Sequence, residues 1–551
     1  MGVSGLEILQ NFAMPSVKNV VKPNFYRDSL QLMQLSEDAK KLPGVKDAAV
    51  VMGTSTNKEL LERLGLLAKE GREASESDIL IAVQAEDAGR LDGIIKEVEE
   101  ILTRPVAAKA EAFSNIDDAM SAMPEANLAV VSIPGEYARN VVKRFLDRGI
   151  HVHLFSDHVS HEDEAFLKKY ASERGLFVLG PGAGTSIIGG KAIAFANVVR
   201  RGNVGIAAAA GTGLQEVSVL ISRAGGGVSE GLGIGGGDVK SYVGGIMAVD
   251  AVKALEADPE TKVVCLVSKP PSPDTLAKLM SFVESQTKKK FVICFLGTKK
   301  YEVSEAQKDR IFSTKSLHVA SAQALRFADG EDAEAMISKI SMSRDEVERL
   351  AAKIAAPLRL EQKYVRGLYT GGTLTFESML LFTELFGGIH SNAPLDERLK
   401  LADSYKSEGH TLVDLGEEEF TSGRAHPMID PTVRKLRLVD EARDGSVAVI
   451  IMDVVLGYGS NRDPAGAMIS SIREAKAIAR AKGRELPILA HVCGTDQDPQ
   501  PLKEQEEKLV KEGVVVLPSN ALMAVVAGLA ASRGNVKEDV KRLILKEYLG
   551  V

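Results

Sequence analysis

Short apolar runs separated by helical stretches determine which folds this chain of 551 residues can adopt. Runs such as "VAVIIMDVV" (447–455) are apolar at nearly every position, instead of alternating with polar residues. Strands that are buried on both faces have this pattern, which is typical of parallel sheets covered by helices. The sequence therefore predicts an α/β fold. Comparable runs lie at 47–53, 78–83, 128–133, 152–156, 176–180, 204–210, 262–268, 291–297, 486–494 and 513–519.

Composition excludes several classes of function. The net charge of −7 leaves no basic footprint for nucleic acid or for an anionic membrane. Aromatic residues make up 5% of the chain and tryptophan is absent, which disfavours a surface for base stacking. No apolar run is long enough to span a bilayer, and the first residues lack the pattern of a secretory signal. We therefore expect no nucleic-acid or membrane partner.

The cysteines indicate the compartment. Cys265, Cys294 and Cys493 are scattered through apolar runs, and none belongs to a closely spaced pair. Such a sparse and odd set favours a reducing, cytoplasmic location and three small buried side chains. The spacing also predicts no metal site.

Composition and the alternation of apolar runs with helical stretches predict four domains. Residues 1–110 form a small N-terminal α/β domain, which ends near a possible linker at 101–113. The next three domains span residues 115–200, 202–325 and 365–551. The charged helical stretch 326–364 is interpreted as a connector.

The last two domains look like copies of one plan. Each opens with a strand, a turn of small residues and a helix, in "GTGLQE" (211–216) and "GGTLTFE" (371–377). Each later has a helix ending near Asp-Pro and a strand ending in Gly-Thr. Because these features recur in the same order, the sequence predicts an internal duplication.

The two turns are candidate anion sites. A helix start leaves about four backbone N–H groups unpaired and carries about half a positive charge. Glycine lets an anion approach these groups closely, and threonine adds a hydroxyl donor. The alternative is that glycine and threonine only form a tight turn and a helix cap, but the duplication favours a shared anion site. The candidate residues are Gly211, Thr212, Gly213, Gly371, Gly372 and Thr373. The Gly-rich stretch 231–237 is expected to be a loop beside this site.

The histidines differ in what their surroundings predict. Arg424 and His426 stand two apart in the irregular segment "SGRAHPMIDP", where both could reach one anion. His491 lies in an apolar strand and is expected to be a hydrogen-bonded core residue. The remaining histidines are expected in solvated positions, including a cluster that could instead bind a metal. That cluster is His151, His153, His158 and His161, and the others are His318, His390 and His410.

Several motifs resemble the succinyl-CoA synthetase superfamily, and more closely its FdrA-type acyl-CoA synthetase-like branch. They are "GPGAGTSIIGG" (180–190), "VGIAAAAGTGLQEVSVLI" (204–221), "LYTGGTL" (368–374) and "GRAHPMIDP" (423–431). The resemblance implies a Rossmann-like CoA-binding-type domain followed by two duplicated flavodoxin-like ligase domains. It also implies catalytic roles for His426, Arg424 and Glu216. The CoA-binding candidates are Pro134, Gly135, Gly182, Gly184 and Thr185.

The sequence departs from that family at the catalytic centre. The synthetases phosphorylate a histidine in the loop after the strand that matches "FVICFLG" (291–297), and here that loop has no histidine. Lys253 stands where the family has an assisting carboxylate. No ATP-grasp domain is visible, so ATP or Mg²⁺ would enter only through a partner subunit.

Three functions remain open at this point. The first is an acyl-CoA synthetase-like enzyme that handles an acyl phosphate or a CoA thioester. The second is a subunit of an oxamate carbamoyltransferase that uses carbamoyl phosphate in purine (allantoin) degradation. The third is a non-enzymatic scaffold or regulatory subunit. All three imply an anionic small molecule, together with a homo-oligomer or separate partner subunits.

Overall fold

The computed structural model describes residues 16–25, 27, 29–103 and 113–551. Most of the linker expected at 101–113 therefore lies outside the described residues. Contacts divide the chain into two compact units. Unit 1 comprises residues 1–119 and 416–433, and unit 2 comprises residues 120–415 and 434–551.

The N-terminal part of unit 1 is a small α/β domain, as predicted. Its three strands form an antiparallel sheet in the order β1-β3-β2. The central strand is buried on both faces, and its two faces pack into separate apolar clusters. The strands are β1 (Ser16–Lys22), β2 (Val45–Met52) and β3 (Ile79–Ala85), and the helices are α1 (Ser29–Lys40), α2 (Ser55–Arg63), α3 (Lys69–Arg72) and α4 (Leu91–Thr103).

Unit 2 begins with a small Rossmann-like domain. Its three strands are parallel and lie in the order in which they occur along the chain. Helices follow the first two strands and pack on an apolar core with them. The strands are β4 (Leu128–Val131), β5 (His151–Leu154) and β6 (Val178–Leu179), and the helices are α5 (Ile116–Ala122, which begins in unit 1), α6 (Gly135–Leu146) and α7 (His161–Ser172).

The first ligase-like domain contains a seven-stranded sheet in the order β13-β12-β11-β9-β10-β7-β8. The hairpin β7–β8 joins this sheet antiparallel to β10. The five strands β9 to β13 are parallel and have the 2-1-3-4-5 order of flavodoxin. The strands are β7 (Thr185–Ile188), β8 (Lys191–Ala194), β9 (Arg201–Ala209), β10 (Val228–Gly233), β11 (Val263–Ser268), β12 (Lys290–Phe295) and β13 (Ile311–Thr314), and the helices are α8 (Gly211–Ala224), α9 (Ile246–Ala257), α10 (Pro273–Gln286) and α11 (Leu317–Asp329).

The second ligase-like domain repeats this plan. Its sheet has the order β15-β16-β14-β17-β18-β19, which is the same flavodoxin-like order with one short strand added at the edge. The predicted duplication is therefore visible in the topology. The strands are β14 (Tyr364–Tyr369), β15 (His390–Ser391), β16 (Thr411–Asp414), β17 (Val447–Val455), β18 (Ile488–Cys493) and β19 (Val515–Leu517). Its helices are α14 (Gly372–Phe386), α16 (Thr432–Arg443, which begins in unit 1), α17 (Pro464–Ala481), α18 (Leu502–Lys511), α19 (Asn520–Ser532) and α20 (Glu538–Ile544). Helices α12 (Ala333–Ile337) and α13 (Arg344–Ala355) precede this domain, and the short helix α15 (Glu418–Thr421) belongs to unit 1.

The expected connector is part of the core. Val347, Ala351 and Ile354 of α13 are buried in the largest apolar cluster, which also contains residues of α19.

None of the described helices combines the length and the apolar character that crossing a bilayer requires. In each ligase-like domain the first parallel strand, β9 or β14, leads directly into a helix, α8 or α14, at the carboxyl edge of the sheet. Ligands of open α/β sheets bind at this edge.

Candidate anion-binding site

The first predicted turn connects β9 to α8. Helix α8 begins at Gly211, after the N-cap residue Ala210, and no side chain caps it. Among the described residues, no oxygen accepts a hydrogen bond from the amides of Gly211, Thr212 or Gly213. A Cβ atom built on Gly211 would meet only Thr185 Oγ1, at 3.8 Å, and one backbone carbon at 4.0 Å. The start of α8 thus presents donors and space to an incoming anion.

The second turn, between β14 and α14, already contains a carboxylate of the protein. Asp453 of β17 accepts hydrogen bonds from the amides of Thr370 and Gly371, the shorter contacts being 2.9 and 2.7 Å. Arg434 lies 3.0 Å from the same carboxylate, and the Asp453 and Arg434 side chains are buried. Burial raises the pKa of Asp453, although Arg434 and the amides oppose this shift. The second turn therefore binds an internal anion.

The two helix starts are in direct contact. The amide of Thr373 donates a hydrogen bond to Thr212 Oγ1 at 3.1 Å. A Cβ atom on Gly371 would lie 2.9 Å from Thr212 Cγ2, and one on Gly213 would lie 3.1 Å from Thr373 Cγ2. Glycine at these two positions allows the helices to approach so closely.

Lys269 is a cation beside these helix starts that the sequence reasoning missed. It follows β11, which lies next to β9 in the sheet. Its Nζ would be 3.7 Å from a Cβ atom on Gly372, and it lies 5.4 Å from the centre of the Phe376 ring. Among the described residues Lys269 forms no ion pair, although Asp414 Oδ2 lies 2.7 Å from the same Cβ position on Gly372. A lysine directly after a strand adjacent to β9 is the signal that could have identified it.

Three of the CoA-binding candidates surround the loop at residues 157–158. Pro134 is the N-cap residue of α6, and Gly135 is its first residue. A Cβ atom on Gly135 would lie 2.3 Å from the carbonyl oxygen of His158, and one on Gly182 would lie 3.1 Å from Asp157 Oδ1. These glycines permit close chain approach, and their predicted contact with CoA stays a prediction.

The other two CoA-binding candidates lie at the start of α8. A Cβ atom built on Gly211 would lie 3.8 Å from Thr185 Oγ1 and 4.0 Å from the Cα atom of Gly184. Thr185 Oγ1 donates to the carbonyl of Phe195 at 2.6 Å, so its hydroxyl is already oriented. The structure therefore brings together residues that the sequence assigned to two different ligands.

Glu216 lies inside the protein, facing the second ligase-like domain. Its carboxylate accepts a hydrogen bond from His491 Nε2 at 2.7 Å and one from the amide of Asn520 at 3.1 Å. His491 Nδ1 lies 3.2 Å from the carbonyl of Leu517, so both ring nitrogens face oxygen atoms. Burial favours a higher pKa for Glu216, but His491, Asn520 and Cys493 hold the pKa below its ordinary value.

Glu377 is the counterpart of Glu216 in the duplicated domain. Each glutamate stands six residues after its N-cap residue, Ala210 or Gly371. Glu377 accepts hydrogen bonds from Leu317 N at 2.7 Å and from Asn520 Nδ2 at 2.8 Å. Burial raises the pKa of Glu377 to about 7, against the hydrogen bond from Asn520.

Glu377 should make stability depend on pH. Its pKa rises from 4.5 to about 7 on folding, so the native state keeps a proton that the unfolded chain releases. The contribution is complete below pH 4.5 and is lost as the pH rises to about 7. We expect Glu377→Gln to gain about 3 kcal/mol relative to wild type between pH 5 and pH 8. Urea unfolding across this range measures the difference, with exposed Glu331→Gln as the control. Parallel curves for Glu377→Gln and wild type would contradict the assignment.

Arg424 and His426 belong to unit 1. Arg424 lies 3.7 Å from Asp430, and His426 Nδ1 accepts a hydrogen bond from the amide of Met428 at 3.2 Å. Burial lowers the pKa of His426 to about 4. The N-terminal domain holds this segment, because Asn57 Nδ2 donates to the carbonyl of Gly423 at 3.1 Å. A catalytic role for the two residues stays a prediction.

The structure corrects two expectations about histidines and confirms one. His153 and His318 are buried, whereas the sequence predicted solvated positions. Each ends up inside because the strand or helix that carries it is covered by another layer, and burial lowers the pKa of each to about 4. His491 is the hydrogen-bonded core histidine that the sequence predicted. The three cysteines are free and buried, as expected.

One group of described residues has ligand types that suit a metal. Potential ligand atoms of Glu216, His491 and Cys493 lie within 4.8 Å of one another. The carboxylate and both ring nitrogens already take part in the hydrogen bonds described above. This arrangement is complete as a hydrogen-bonded network.

Comparisons with known proteins agree with this architecture. The family model for the CoA-ligase domain matches residues 368–530, and that for the AllF heavy metal-associated domain matches residues 14–119. Uncharacterized protein YahF of Escherichia coli (strain K12) is 43% identical over 516 residues, covering 92% of this chain and 96% of YahF. The succinate–CoA ligase [ADP-forming] subunit alpha of Methanothermobacter thermautotrophicus is 26% identical over 184 residues, covering 33% of this chain and 61% of that subunit.

A solved ATP citrate lyase from Methanothrix soehngenii is 14% identical, with a TM-score of 0.31, over 79% of this chain and 82% of that one. A TM-score this low carries no further weight. The segment that matches the heavy metal-associated domain, residues 14–119, contains neither cysteine nor histidine, so it offers no thiolate or imidazole ligand.

The fold and the matched domain define a protein of the succinyl-CoA synthetase superfamily with a CoA-ligase domain. Within it, the chain belongs to the same family as YahF.

Proposed function

We propose that this chain is an FdrA-type acyl-CoA synthetase-like protein that binds an acyl phosphate at the start of α8. The free amides of residues 211–213 support this proposal most directly, because they form a donor set that suits a phosphoryl group. Lys269 adds a positive charge on the same edge of the sheet. Because Asp453 already accepts hydrogen bonds from the amides of the second turn, we expect that turn to border the site without binding a second ligand.

This arrangement suits acyl transfer to a thiol. In that reaction the thiolate of CoA attacks the carbonyl carbon, the bond between carbon and the phosphate oxygen breaks, and phosphate leaves. Amide donors and a lysine beside the phosphate would stabilise the charge that develops on it. Gly184 and Thr185 place the predicted CoA-binding segment next to this position. No histidine of the chain needs to be phosphorylated.

The second candidate is a subunit of an oxamate carbamoyltransferase. Carbamoyl phosphate is itself an acyl phosphate, and the same donors would hold it. The loop between β12 and β13 favours this function, since residues 296–310 contain lysines but no histidine. Such a subunit would act with partner chains. A cytoplasmic location suits either function and agrees with three free cysteines.

Calorimetric titration of the full chain separates the candidates. Binding of acetyl phosphate and of CoA supports the synthetase-like function. Binding of carbamoyl phosphate and oxamate, without CoA, supports the carbamoyltransferase subunit. If none of the four binds, the proposed site is wrong and a scaffold or regulatory role becomes the better account.

A further inference from the structure

A second cavity lies at the opposite end of α8 from the proposed site. Its volume is about 320 Å³, and both ligase-like domains contribute to it. Ser222 and Arg223 bring the last turn of α8 to one wall, and Leu502 and Lys503 bring the first turn of α18 to another. The cavity is therefore separate from the amides of Gly211–Gly213.

The lining of this cavity is predominantly cationic. Arg200, Arg223, Lys339 and Lys503 line it together with only two carboxylates, Asp496 and Glu506. The net charge of the lining is therefore about +2, which would attract a multiply charged anion.

Two of the four cations already bond to other groups of the protein. Arg223 pairs with Glu506 at 3.0 Å and donates to the carbonyl of Val492 at 3.2 Å. Lys339 Nζ donates to the carbonyl of Ala224 at 3.1 Å. These bonds fix both side chains in the wall of the cavity, so their charge is held in place.

The other two cations have no such partner. Among the described residues, no acceptor bonds to the guanidinium of Arg200 or the ammonium of Lys503. Lys503 also stands in the first turn of the ten-residue helix α18, where no side chain caps the start. The positive end of that helix adds to the field of the two free side chains.

We propose that this cavity binds a phosphate or polyphosphate group, independently of the proposed function at the start of α8. Arg200 and Lys503 would supply the direct contacts, and Arg223 and Lys339 the surrounding positive charge. Charge-assisted hydrogen bonds from these side chains are the strong kind that phosphate selects. The volume accommodates a pyrophosphate or a small phosphorylated molecule.

Calorimetric titration with inorganic pyrophosphate at low salt tests this proposal on the full chain carrying Gly211→Pro, which removes a donor at the other site. We expect a single binding site, with affinity about tenfold lower after Arg200→Ala and again after Lys503→Ala. Lys511→Ala, which removes an exposed lysine at the far end of α18, should leave the affinity unchanged.

Two results would overturn the proposal. One is the absence of any pyrophosphate binding to the Gly211→Pro chain. The other is an equal loss of affinity after Arg200→Ala and Lys511→Ala, because this would show only general attraction of the surface for anions. If Gly211→Pro does not fold, the wild-type chain serves instead, and the paired substitutions should remove one of two sites. Titration with a phosphate ester in place of pyrophosphate then shows whether the natural ligand has an organic part.

Discussion

Asp453→Ala should lower the free energy of unfolding by about 4 kcal/mol. The substitution leaves the buried guanidinium of Arg434 without its carboxylate. It also removes the acceptor for the amides of Thr370 and Gly371, which are shielded from water. Removing one partner of a buried pair is costly because the other charge stays buried and uncompensated.

Urea unfolding at neutral pH measures this loss. Asp440→Ala is the matched control, since Asp440 also pairs with an arginine, Arg443, but at the surface. The control should lose less than about 1 kcal/mol. Equal losses in the two variants would show that the carboxylate of Asp453 does not hold the second turn together. Partial recovery of Asp453→Ala by added formate would support the view that this turn is an anion site occupied from within.

Glu216→Ala should cost about as much, roughly 3 to 5 kcal/mol, because two buried groups lose their hydrogen-bond partner. The buried ring of His491 would lose its hydrogen-bond partner at Nε2, and the amide of Asn520 would lose its acceptor. This expectation differs from the catalytic role that the sequence predicted for Glu216. We expect a carboxylate enclosed in this way to stabilise the packing of the two ligase-like domains rather than to contact a ligand.

Unfolding measurements on Glu216→Ala separate the two roles. Exposed Glu334→Ala, which removes a surface pair with Arg326, serves as the control and should change stability by less than about 1 kcal/mol. A double-mutant cycle with His491→Ala should show strong coupling between the two residues. A Glu216→Ala chain with wild-type stability but no ligand turnover would contradict the structural role and restore the catalytic one.

The buried parallel strands could be predicted from sequence because their apolar runs are long and continuous. Runs such as 447–455 and 486–494 correspond to β17 and β18. The sequence does not predict strand β10, because its glycines Gly231 and Gly233 belong to a stretch that indicates a loop. Glycine is needed there, since a Cβ atom on Gly233 would lie 2.0 Å from the carbonyl oxygen of Thr185 in the adjoining hairpin.

The candidate site could be predicted only in part. Helix starts and glycines are local features, so the two turns and their common plan were visible in the sequence. Asp453 could not be assigned to the second turn, because it lies some 80 residues further along the chain and only the sheet order brings it there. The same is true of Lys269 and of the pairing between Glu216 and His491.

We expect the amides at the start of α8 to bind the phosphoryl group of an acyl phosphate. Gly211→Pro tests this binding, because proline is accepted at the first position of a helix and has no N–H donor. Gly211→Ala is the matched control, since its methyl group has room and the donor remains. Both are made in a chain that carries Arg200→Ala and Lys503→Ala, so that the second cavity does not contribute.

Calorimetric titration with acetyl phosphate gives the decisive comparison. We expect Gly211→Ala to bind acetyl phosphate within about twofold of the parent chain and Gly211→Pro to bind it at least about tenfold more weakly. Equal affinity of the two variants would contradict it and would place the anion away from the start of α8.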